Sequence, residues 1–355
     1  MTATPPPLVT ARLDEALLKD HLAQTLEHTN FEGLGERYEG KVRDNYSTGA
    51  PRDRRFIVVT DRISAFDRIL GTIPFKGQVL NRLAAWWFEK TKDVAKNHFV
   101  RVPDPNVLEC IECKPLPVEM VVRAYITGST STSMWTHYET AAKEDADAPR
   151  MFCGHLLPAG LQKNQRLEKP LLTPATKAPK GEHDVSASRE QIIAGSVGGG
   201  ISAEDFDTAA EMVMKLFAAG QKICAERGLI LVDTKYELGK TKDGEIVVID
   251  EIHTPDSSRF WMGATYDERF ASGVDPEPLD KDFVRRYYTA LGYRGDGEAP
   301  PLPPEVRIGA AQRYVEAFER ITGETFVPDT DPPLPRIAKN LGLPEQASSY
   351  PKDTA

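Results

Sequence analysis

Charged side chains follow two apolar segments late in the chain, and their spacing could support phosphate chemistry. The first segment leads into Asp233, Lys235 and Glu237, which occupy alternate positions. Alternation of this kind places the three side chains on one face of an extended strand. The second segment, residues 246–249, leads into Asp250. The charges therefore stand where each strand would leave the core.

The turn between these segments would bring their carboxylates together. Asp243 and Gly244 lie between β-branched runs, and they accept the positive φ angles that a tight hairpin turn requires. The hairpin would place Glu237 near Asp250, and two close carboxylates repel each other unless a positive charge lies between them. Mg²⁺ bound with a phosphorylated substrate is the usual solution. A solvated hairpin is the alternative, but the apolar runs that lead directly into the charges weigh against it.

Residues 35–41 match the G-x4-G-K spacing of a phosphate-binding P-loop only in part. Val42 stands where the motif needs a serine or threonine to hold Mg²⁺, and no apolar strand precedes the segment. The pattern instead predicts a glycine turn at Gly40 that continues into an alternating strand. A hairpin of this kind can lie over a nucleotide and bind it with backbone N–H groups and a lysine, here Lys41.

A third candidate combines an arginine with a glycine–serine turn. Glu119 and Arg123 are four residues apart in a strand predicted for residues 118–125, so both point to the same face. Gly128 and Ser129 follow with a tight turn that offers N–H and hydroxyl donors. Arginine binds phosphate and carboxylate groups bidentately, so this segment is a candidate anion site. A surface Glu–Arg pair beside a turn is an equally supported alternative.

Composition describes an ordinary globular protein and limits its partners. The chain has 355 residues, of which 40% are apolar and 27% charged, and its net charge is −9. That charge argues against generic nucleic-acid binding, whereas a local basic cluster suits a small polyanionic ligand. The cluster comprises Arg37, Lys41, Arg43, Arg52, Arg54, Arg55, Arg62 and Arg68. Within it, we expect Arg52, Arg54 and Arg55 to be solvated surface.

The cysteines and the N-terminus indicate a cellular compartment. Of four cysteines, Cys110 and Cys113 form one C-x-x-C pair. A zinc site would need a second such pair, so we expect no metal or redox role for them. The N-terminus lacks the apolar region of a secretory signal, and no run approaches the about 18 apolar residues of a membrane span. We expect a cytoplasmic protein with reduced thiols, either a monomer or a small homo-oligomer.

Periodicity predicts the elements that must position these residues. Helices are predicted at residues 13–26, 81–96, 202–227 and 304–321, the third of them capped by Ser202 and ended by Gly228. Strands are predicted at 38–46, 56–60 and 118–125, and a polar mobile loop at 139–150. Proline-rich segments at 298–304 and 328–335, with the tail after residue 343, are expected to wrap the surface. Prolines between residues 103 and 117 predict a domain boundary.

Several motifs occur in an order that carries a family resemblance. They read GKVRDNY, VTDRISAFD, PLPVEMVVRAYITGS, LTPATKAPKGEHD, VDTKYELG and VIDEIHTPDSSR. Over roughly residues 30–270 the chain closely resembles the phosphoribosylaminoimidazole-succinocarboxamide synthase (SAICAR synthetase) family of purine biosynthesis. The resemblance implies an α/β (α+β) fold, with a small antiparallel β domain covering ATP and a larger ATP-grasp-like domain supplying metal ligands. Its segments would be a leader and helix (1–29), the small nucleotide-binding domain (30–115), the larger catalytic domain (116–275) and a C-terminal extension packing on the core (276–355).

The resemblance also implies a reaction and a set of site residues. Members of the family use ATP and Mg²⁺ to join L-aspartate to the carboxylate of carboxyaminoimidazole ribonucleotide (CAIR). The resemblance implies that ATP is bound by Gly40, Lys41, Val42, Arg43, Glu119 and Lys235, and that Lys41 and Lys235 are also catalytic. For CAIR it implies Arg123, Ser129, Lys177, Asp184, Asp256 and Arg259, and Thr176, Lys177, His183 and Asp184 match a mobile substrate loop. The resemblance implies that Glu237 and Asp250 are the Mg²⁺ ligands.

Two other functions would use the same groups. A kinase-like phosphotransferase fits the glycine turn, the lysine and the paired acids, although the chain has no HRD or DFG segment. A non-catalytic nucleotide-binding module would be indicated if Mg²⁺ did not promote ATP binding. The segments TKYELG and RAYITGS favour the ligase. Asp233 is a possible proton acceptor for the aspartate amine, but we expect it to be structural. The family's G-S-x-W-x-x-Y pattern is stretched after Ser129, so that segment has no firm alignment.

Overall fold

A computed structural model of the chain describes residues 13–66, 68–130, 132–145, 150–177, 184–197, 200–279 and 282–344. The helices in these ranges are α1 (Glu15–Asp20), α2 (Lys76–Lys90), α3 (Met134–Glu144), α4 (Arg189–Ala194), α5 (Ala203–Glu226), α6 (Gly263–Ala271), α7 (Asp282–Ala290), α8 (Pro304–Thr322) and α9 (Pro333–Asn340). The strands are β1 (Glu36–Glu39), β2 (Arg43–Ser47), β3 (Arg54–Val59), β4 (Arg62–Ala65), β5 (Arg68–Thr72), β6 (Phe99–Asp104), β7 (Val107–Ile111), β8 (Lys114–Tyr125), β9 (Arg150–Phe152), β10 (His155–Leu157), β11 (Arg166–Leu172), β12 (Ala175–Thr176), β13 (Leu229–Lys240), β14 (Ile246–Ile249) and β15 (Ser258–Met262).

Two antiparallel sheets form the framework. The first has five strands in the order β1-β2-β3-β7-β6, and the second has the order β11-β8-β13-β14, with β12 added on β8 and β15 on β13. Helix α5 packs on β13 and β8 of the second sheet, while α2 packs on the first sheet and on α8. One hydrophobic core joins these layers, from Ile57 and Val122 in the sheets to Phe217 and Phe318 in the helices. Both sheets are therefore held in a fixed relation by shared apolar packing.

The elements with strong local signals are confirmed. Helix α5 begins after Ser202, whose side chain caps it, and ends just before Gly228, which has a φ of 70°. Helix α8 agrees with its prediction to within one residue. The predicted hairpin forms between β13 and β14, and it pairs Glu237 with Ile249, the residue before Asp250. Strands β3 and β8 account for the strands predicted at 56–60 and 118–125.

The helix predicted at residues 81–96 is wrong in position, since α2 begins at Lys76 and ends at Lys90. Its start is fixed by tertiary contacts rather than by a side-chain cap. Phe75 has a left-handed φ of 61°, and the Gly77 N–H donates to the Asp61 carboxylate at 2.8 Å. The first turn is buried on all sides, so no amphipathic pattern marks it in the sequence.

Two predictions near the N-terminus were too long. The helix at 13–26 is wrong beyond Asp20, because side chains from elsewhere bind the following backbone and Thr25. Thr25 lies 2.8 Å from the Thr72 hydroxyl, and the Leu26 N–H donates to the Asp61 carboxylate at 2.7 Å. The strand predicted at 38–46 is wrong as a single strand, since β1 and β2 form a hairpin around Gly40, which confirms the glycine turn predicted there.

Two segments predicted without regular structure contain helices. The loop at 139–150 is wrong for its first part, because α3 extends to Glu144 and buries Met134 and Tyr138 while its polar face is exposed. Residues 146–149 lie outside the described ranges. The segment at 328–335 does not simply wrap the surface, since α9 begins there and Leu334 is buried in a cluster with Phe56.

No helix in the described part of the chain is long and apolar enough to cross a membrane. All four cysteines are free thiols, and Cys110, Cys113 and Cys224 are buried. The division of the chain into four segments stays a prediction.

Candidate active site

Residues from both sheets line one cleft of about 540 Å³. Most of the residues implicated by sequence meet in it. They are Gly40, Lys41, Val42, Arg43, Glu119, Lys177, Asp184, Lys235, Glu237, Asp250 and Asp256. Arg55 also lines the cleft, so the expectation that it is merely solvated surface is wrong. Since these residues come from six separate stretches of sequence, the cleft is assembled by the fold and not by one motif.

Lys235 is the centre of the charged cluster on the cleft wall. Strands β13 and β8 pair so that Glu237 lies opposite Glu119. The Lys235 Nζ atom donates to Glu237 at 2.7 Å and to Glu119 at 2.9 Å, and Lys177 bonds the other oxygen of Glu237. Two carboxylates would repel at this range, and the ammonium between them removes the repulsion. The side chain of Lys235 is 34% exposed, so it is reachable from the cleft.

The environment shifts the protonation equilibria of this cluster in opposite directions. Burial alone would lower the pKa of Lys235, but Glu237 and Glu119 outweigh it and raise that pKa well above its usual value. Burial would raise the pKa of Glu237, but Lys235 and Lys177 outweigh it and lower that pKa. For Glu119, burial prevails and raises the pKa. At neutral pH the cluster therefore holds a charged lysine beside at least one ionised carboxylate.

Asp250 faces the same cleft and is held by an arginine from the other sheet. Arg43 donates from Nη1 to both oxygens of Asp250, at 2.8 and 2.9 Å, and also pairs with Glu251. Asp250 has a left-handed φ of 68°, which turns the chain sharply after β14. Burial raises the pKa of Asp250, and the neighbouring charge of Glu237 adds to the effect against Arg43. The two acids are thus electrostatically coupled, as the hairpin predicted.

A buried arginine supports the glycine turn that edges the cleft. The Gly40 N–H donates to the Arg43 carbonyl at 2.8 Å, which closes the turn between β1 and β2. Arg62 donates to the carbonyl oxygens of Gly40 and Lys41, both at 3.0 Å, and pairs with Asp44 at 2.8 Å. Sequence reasoning grouped Arg62 with ligand-binding cations, whereas its side chain is fully buried beneath the turn. It fixes the turn and does not face the cleft.

A second cavity of about 430 Å³ contains the other predicted anion-binding groups. Ser129 and Arg259 line it, and Arg285 from α7 lines both this cavity and the larger cleft. Arg123 lines neither cavity; its Nε donates to the Thr173 hydroxyl at 2.9 Å. The second cavity therefore offers cationic and hydroxyl groups suited to an anionic substituent.

Asp233 links Arg123 and Arg259. It pairs with Arg259 at close range and lies 3.7 Å from Arg123, across the pairing of β13 with β15 and β8. The carboxylate thereby joins two arginines on β8 and β15, the strands that flank β13 in the sheet. This geometry agrees with the structural role expected for Asp233.

Sequence reasoning missed Arg285, which lines the cleft, and two residues that hold Asp256, Lys76 and Tyr314. Lys76 and Tyr314 both bond the Asp256 carboxylate at 2.7 Å. No local pattern distinguishes these residues, because each belongs to a helix whose position is set by tertiary packing. Of the predicted substrate loop, Lys177 and Asp184 reach the cleft, while His183 lies outside the described residues.

Comparisons of the sequence with a family model and with known proteins indicate the same family. A sequence model of the SAICAR synthetase family matches residues 36–301. A phosphoribosylaminoimidazole-succinocarboxamide synthase of Legionella pneumophila (strain Paris) is 46% identical over 301 residues, which cover 84% of this chain and 91% of that protein. The relationship thus extends over nearly the whole length of the relative.

Solved structures show the same likeness. A SAICAR synthase from Saccharomyces cerevisiae, complexed with SAICAR, is 29% identical and superposes with a TM-score of 0.69 over 85% of this chain and all of that chain. A SAICAR synthetase in complex with ADP is 26% identical and has a TM-score of 0.60 over 82% of this chain and 100% of that one. The α/β fold expected from the sequence is confirmed by these similarities.

Proposed function

The chain belongs to the SAICAR synthetase family and is an ATP-dependent ligase of purine biosynthesis, and we propose that its cleft joins L-aspartate to the carboxylate of CAIR. The observation that carries this assignment to the cleft is the position of Lys235. Its ammonium lies between Glu119 and Glu237 on a cleft that the glycine turn with Lys41 also lines. A site with two lysines and paired acids suits a nucleoside triphosphate and a second anionic substrate.

The ATP subsite in this proposal lies between the glycine turn and β13. Backbone N–H groups of the Gly40–Arg43 turn and the Lys41 ammonium bind the phosphates, as in other glycine-rich nucleotide loops. Glu119 is proposed to contact ATP from the β13 side of the subsite; its bond to Lys235 at 2.9 Å places it nearer to the phosphate-binding groups than to the adenine or ribose end implied by the resemblance. The solved relative with ADP supports a nucleotide subsite in this fold. Arg62 supports this arrangement indirectly, because it fixes the carbonyl groups of the turn.

Glu237 and Asp250 are the proposed Mg²⁺ ligands. Mg²⁺ is typically held by one or two carboxylates together with substrate phosphates, and these two acids line one cleft. Within the described residues no group of three or more acidic, histidine or cysteine side chains is arranged around a metal position. ATP phosphates and water would complete the coordination. When bound, the ion would neutralise charge on the transferring phosphoryl group.

The reaction follows from the weak electrophilicity of a carboxylate. A CAIR carboxylate oxygen attacks the γ-phosphorus of ATP, ADP leaves, and an acyl phosphate forms. The aspartate amine then attacks the acyl carbon, inorganic phosphate leaves and the amine loses its proton. Lys41 and Lys235 stabilise the negative charge that builds on the phosphoryl oxygens. Both lysines face the cleft, as this role requires.

CAIR is proposed to lie between the large cleft and the second cavity. Asp256, Lys177 and Asp184 would contact it from the cleft, and Ser129 and Arg259 from the second cavity. Arg123 would contribute beside Arg259, since both share Asp233. The yeast relative solved with SAICAR supports a ribonucleotide site in this fold.

A cytoplasmic enzyme with small-molecule substrates is also proposed. Its net charge of −9 does not suit nucleic acid, and its four cysteines are free thiols, as in a reducing compartment.

The test is ADP release by the purified protein with ATP, Mg²⁺ and CAIR, with and without L-aspartate. Aspartate-dependent ADP release with formation of the succinocarboxamide product is expected. ADP release that is indifferent to aspartate would indicate a phosphotransferase or another amine acceptor. Binding of ATP without any turnover would indicate a nucleotide-binding module. Omitting Mg²⁺ should abolish turnover, and unchanged turnover would contradict the proposed metal site.

A further inference from the structure

Asp256 is held in the cleft by an unusual pair of partners. Both carboxylate oxygens are bonded: the Lys76 Nζ atom lies 2.7 Å from Oδ2, and the Tyr314 hydroxyl donates to Oδ1 at 2.7 Å. Lys76 also lies 5.4 Å from the centre of the Tyr314 ring, within cation–π range. The three side chains therefore form one contiguous unit, called here the Asp256 clamp.

The members of the Asp256 clamp come from distant parts of the chain. Lys76 begins α2 and its side chain is fully buried, while Tyr314 lies in the middle of α8 and is 3% exposed. Helices α2 and α8 pack on each other, which fixes both partners before any ligand binds. Helix α8 begins after residue 301, where the match to the family model ends. The C-terminal extension thus contacts Asp256, a residue of the cleft wall, through Tyr314.

A carboxylate in this position needs two anchors to present a defined edge to a ligand. The terminal torsion of an aspartate side chain has a broad, roughly twofold energy profile, so rotamer preference alone does not fix the carboxylate plane. Lys76 supplies the opposite charge through a compact ammonium group that tolerates many directions. The Tyr314 hydroxyl sits on a rigid buried ring and can fix the second oxygen. Charge and orientation are thus provided by different residues.

We propose that Tyr314 is a positioning residue that orients the Asp256 carboxylate toward the ribonucleotide. The inference rests on the proposed role of Asp256 in CAIR binding. A carboxylate oxygen can accept more than one hydrogen bond, so a bond to Tyr314 is compatible with a bond to substrate. Tyr314 itself acts from behind Asp256. Its loss should weaken CAIR binding while the ATP subsite, formed by other residues, keeps its affinity.

Tyr314→Phe is the appropriate test because it removes the hydroxyl and keeps the ring over Lys76. The KM for CAIR should rise about 2- to 10-fold, the range that one lost hydrogen bond supports, and the KM for ATP should stay unchanged. Tyr288→Phe is the matched control. Tyr288 is also fully buried and donates to the Pro300 carbonyl at 2.9 Å, but it does not contact Asp256. This control should leave both KM values unchanged.

A double variant separates positioning from general destabilisation. With Asp256→Asn as the background, adding Tyr314→Phe should raise the CAIR KM no further, because the residue it acts through is already altered. Additive effects of the two substitutions would overturn the proposal, as would an unchanged CAIR KM in Tyr314→Phe. Equal rises in the CAIR and ATP KM values would also overturn it, since they would indicate a structural role.

Failure of the proposed function gives a different result. If the wild-type protein shows no CAIR-dependent ADP release, the assigned reaction fails. If Asp256→Asn alone leaves the CAIR KM unchanged, the assigned role of Asp256 fails and the positioning role of Tyr314 fails with it. The same wild-type and single-variant assays therefore show which inference is wrong.

Discussion

Two ion clusters lie close to the same cleft, yet their surroundings give them different roles. Around Lys235, the lysine is 34% exposed and shares its charge with two acids that line the cleft. Around Arg62, the side chains of the arginine and Asp44 are both fully buried, and the arginine also bonds backbone carbonyl groups. The first cluster can exchange its partners for a ligand, whereas the second is already satisfied by protein. Burial and bonding partners, rather than charge, separate a ligand-binding cation from a structural one.

The largest expected effect on folding is at the Arg62 cluster. Arg62→Ala should lower the free energy of unfolding by about 3–5 kcal/mol, because it removes the buried partner of Asp44 and leaves that charge with only the more distant Arg37, at 3.5 Å. Arg101→Ala is the control, since Arg101 pairs with Glu109 at 2.6 Å but its side chain is 58% exposed. It should change the free energy of unfolding by about 1 kcal/mol or less. Denaturant unfolding of both variants measures the difference, and similar losses would show that burial does not distinguish these pairs.

At Lys235 the larger effect is expected on activity and the smaller one on folding. Lys235→Ala should lower kcat by about 10²–10³-fold, the usual effect of removing one group that stabilises transition-state charge. The loss of folding stability should be smaller than for Arg62→Ala, because the Lys235 side chain is 34% exposed and Lys177 still pairs with Glu237. Lys240→Ala is a matched control on the same strand, with an ion pair to Asp205 at 2.8 Å. If Lys235→Ala keeps near-normal turnover in the folded state, the lysine is not part of the catalytic machinery.

Local patterns were sufficient to predict part of this site. Glu237 and Asp250 are brought together by one hairpin, whose turn and alternating strands lie within a short stretch of sequence. Helix α5 is equally predictable from sequence, since its cap, apolar stripe and terminating glycine all occur in one segment. Features of this kind follow from the nearest neighbours in sequence and need no knowledge of the tertiary fold.

The remaining parts depend on contacts between distant segments. Lys76 and Tyr314 lie 180 and 58 residues from Asp256, so their convergence is decided by how α2 and α8 pack. The sequence places Arg62 among the candidate ligand-binding cations, because residue type does not report burial. The helix α2 was misplaced for the same reason, since a first turn that is buried on all sides has no amphipathic pattern.

Asp61 extends the comparison to a buried carboxylate whose hydrogen bonds come from the backbone. It accepts the N–H groups of Leu26 at 2.7 Å and Gly77 at 2.8 Å. Burial raises the pKa of Asp61 from 3.8 to about 6. Because the folded-state pKa is the higher one, the folded protein binds more protons in this window. The stabilising contribution is complete below the unfolded-state pKa and is lost as pH rises through about 6.

The free energy of unfolding that Asp61 contributes at low pH, and that is lost as pH rises, should be at most about 3 kcal/mol, since each pKa unit corresponds to about 1.4 kcal/mol. Unfolding free energies of the wild type and Asp61→Asn can be measured between about pH 4 and pH 7. The difference, wild type minus variant, should fall as pH rises and become constant above the folded-state pKa. Parallel curves for the two proteins would show that Asp61 titrates normally.

The smallest effects distinguish two arginines that share one carboxylate. Arg259 lines the second cavity, whereas Arg123 lines neither cavity, and both approach Asp233. Arg259→Ala should raise the CAIR KM by about tenfold or more, because it removes a charged hydrogen-bond donor from the substrate. Arg123→Ala should raise it only several-fold, since its influence passes largely through Asp233 and Arg259. Steady-state kinetics with CAIR varied at saturating ATP and aspartate measures both. A larger effect at Arg123 would mean that this arginine reaches the substrate directly, and burial would then be a poorer guide to function here than the two ion clusters suggest.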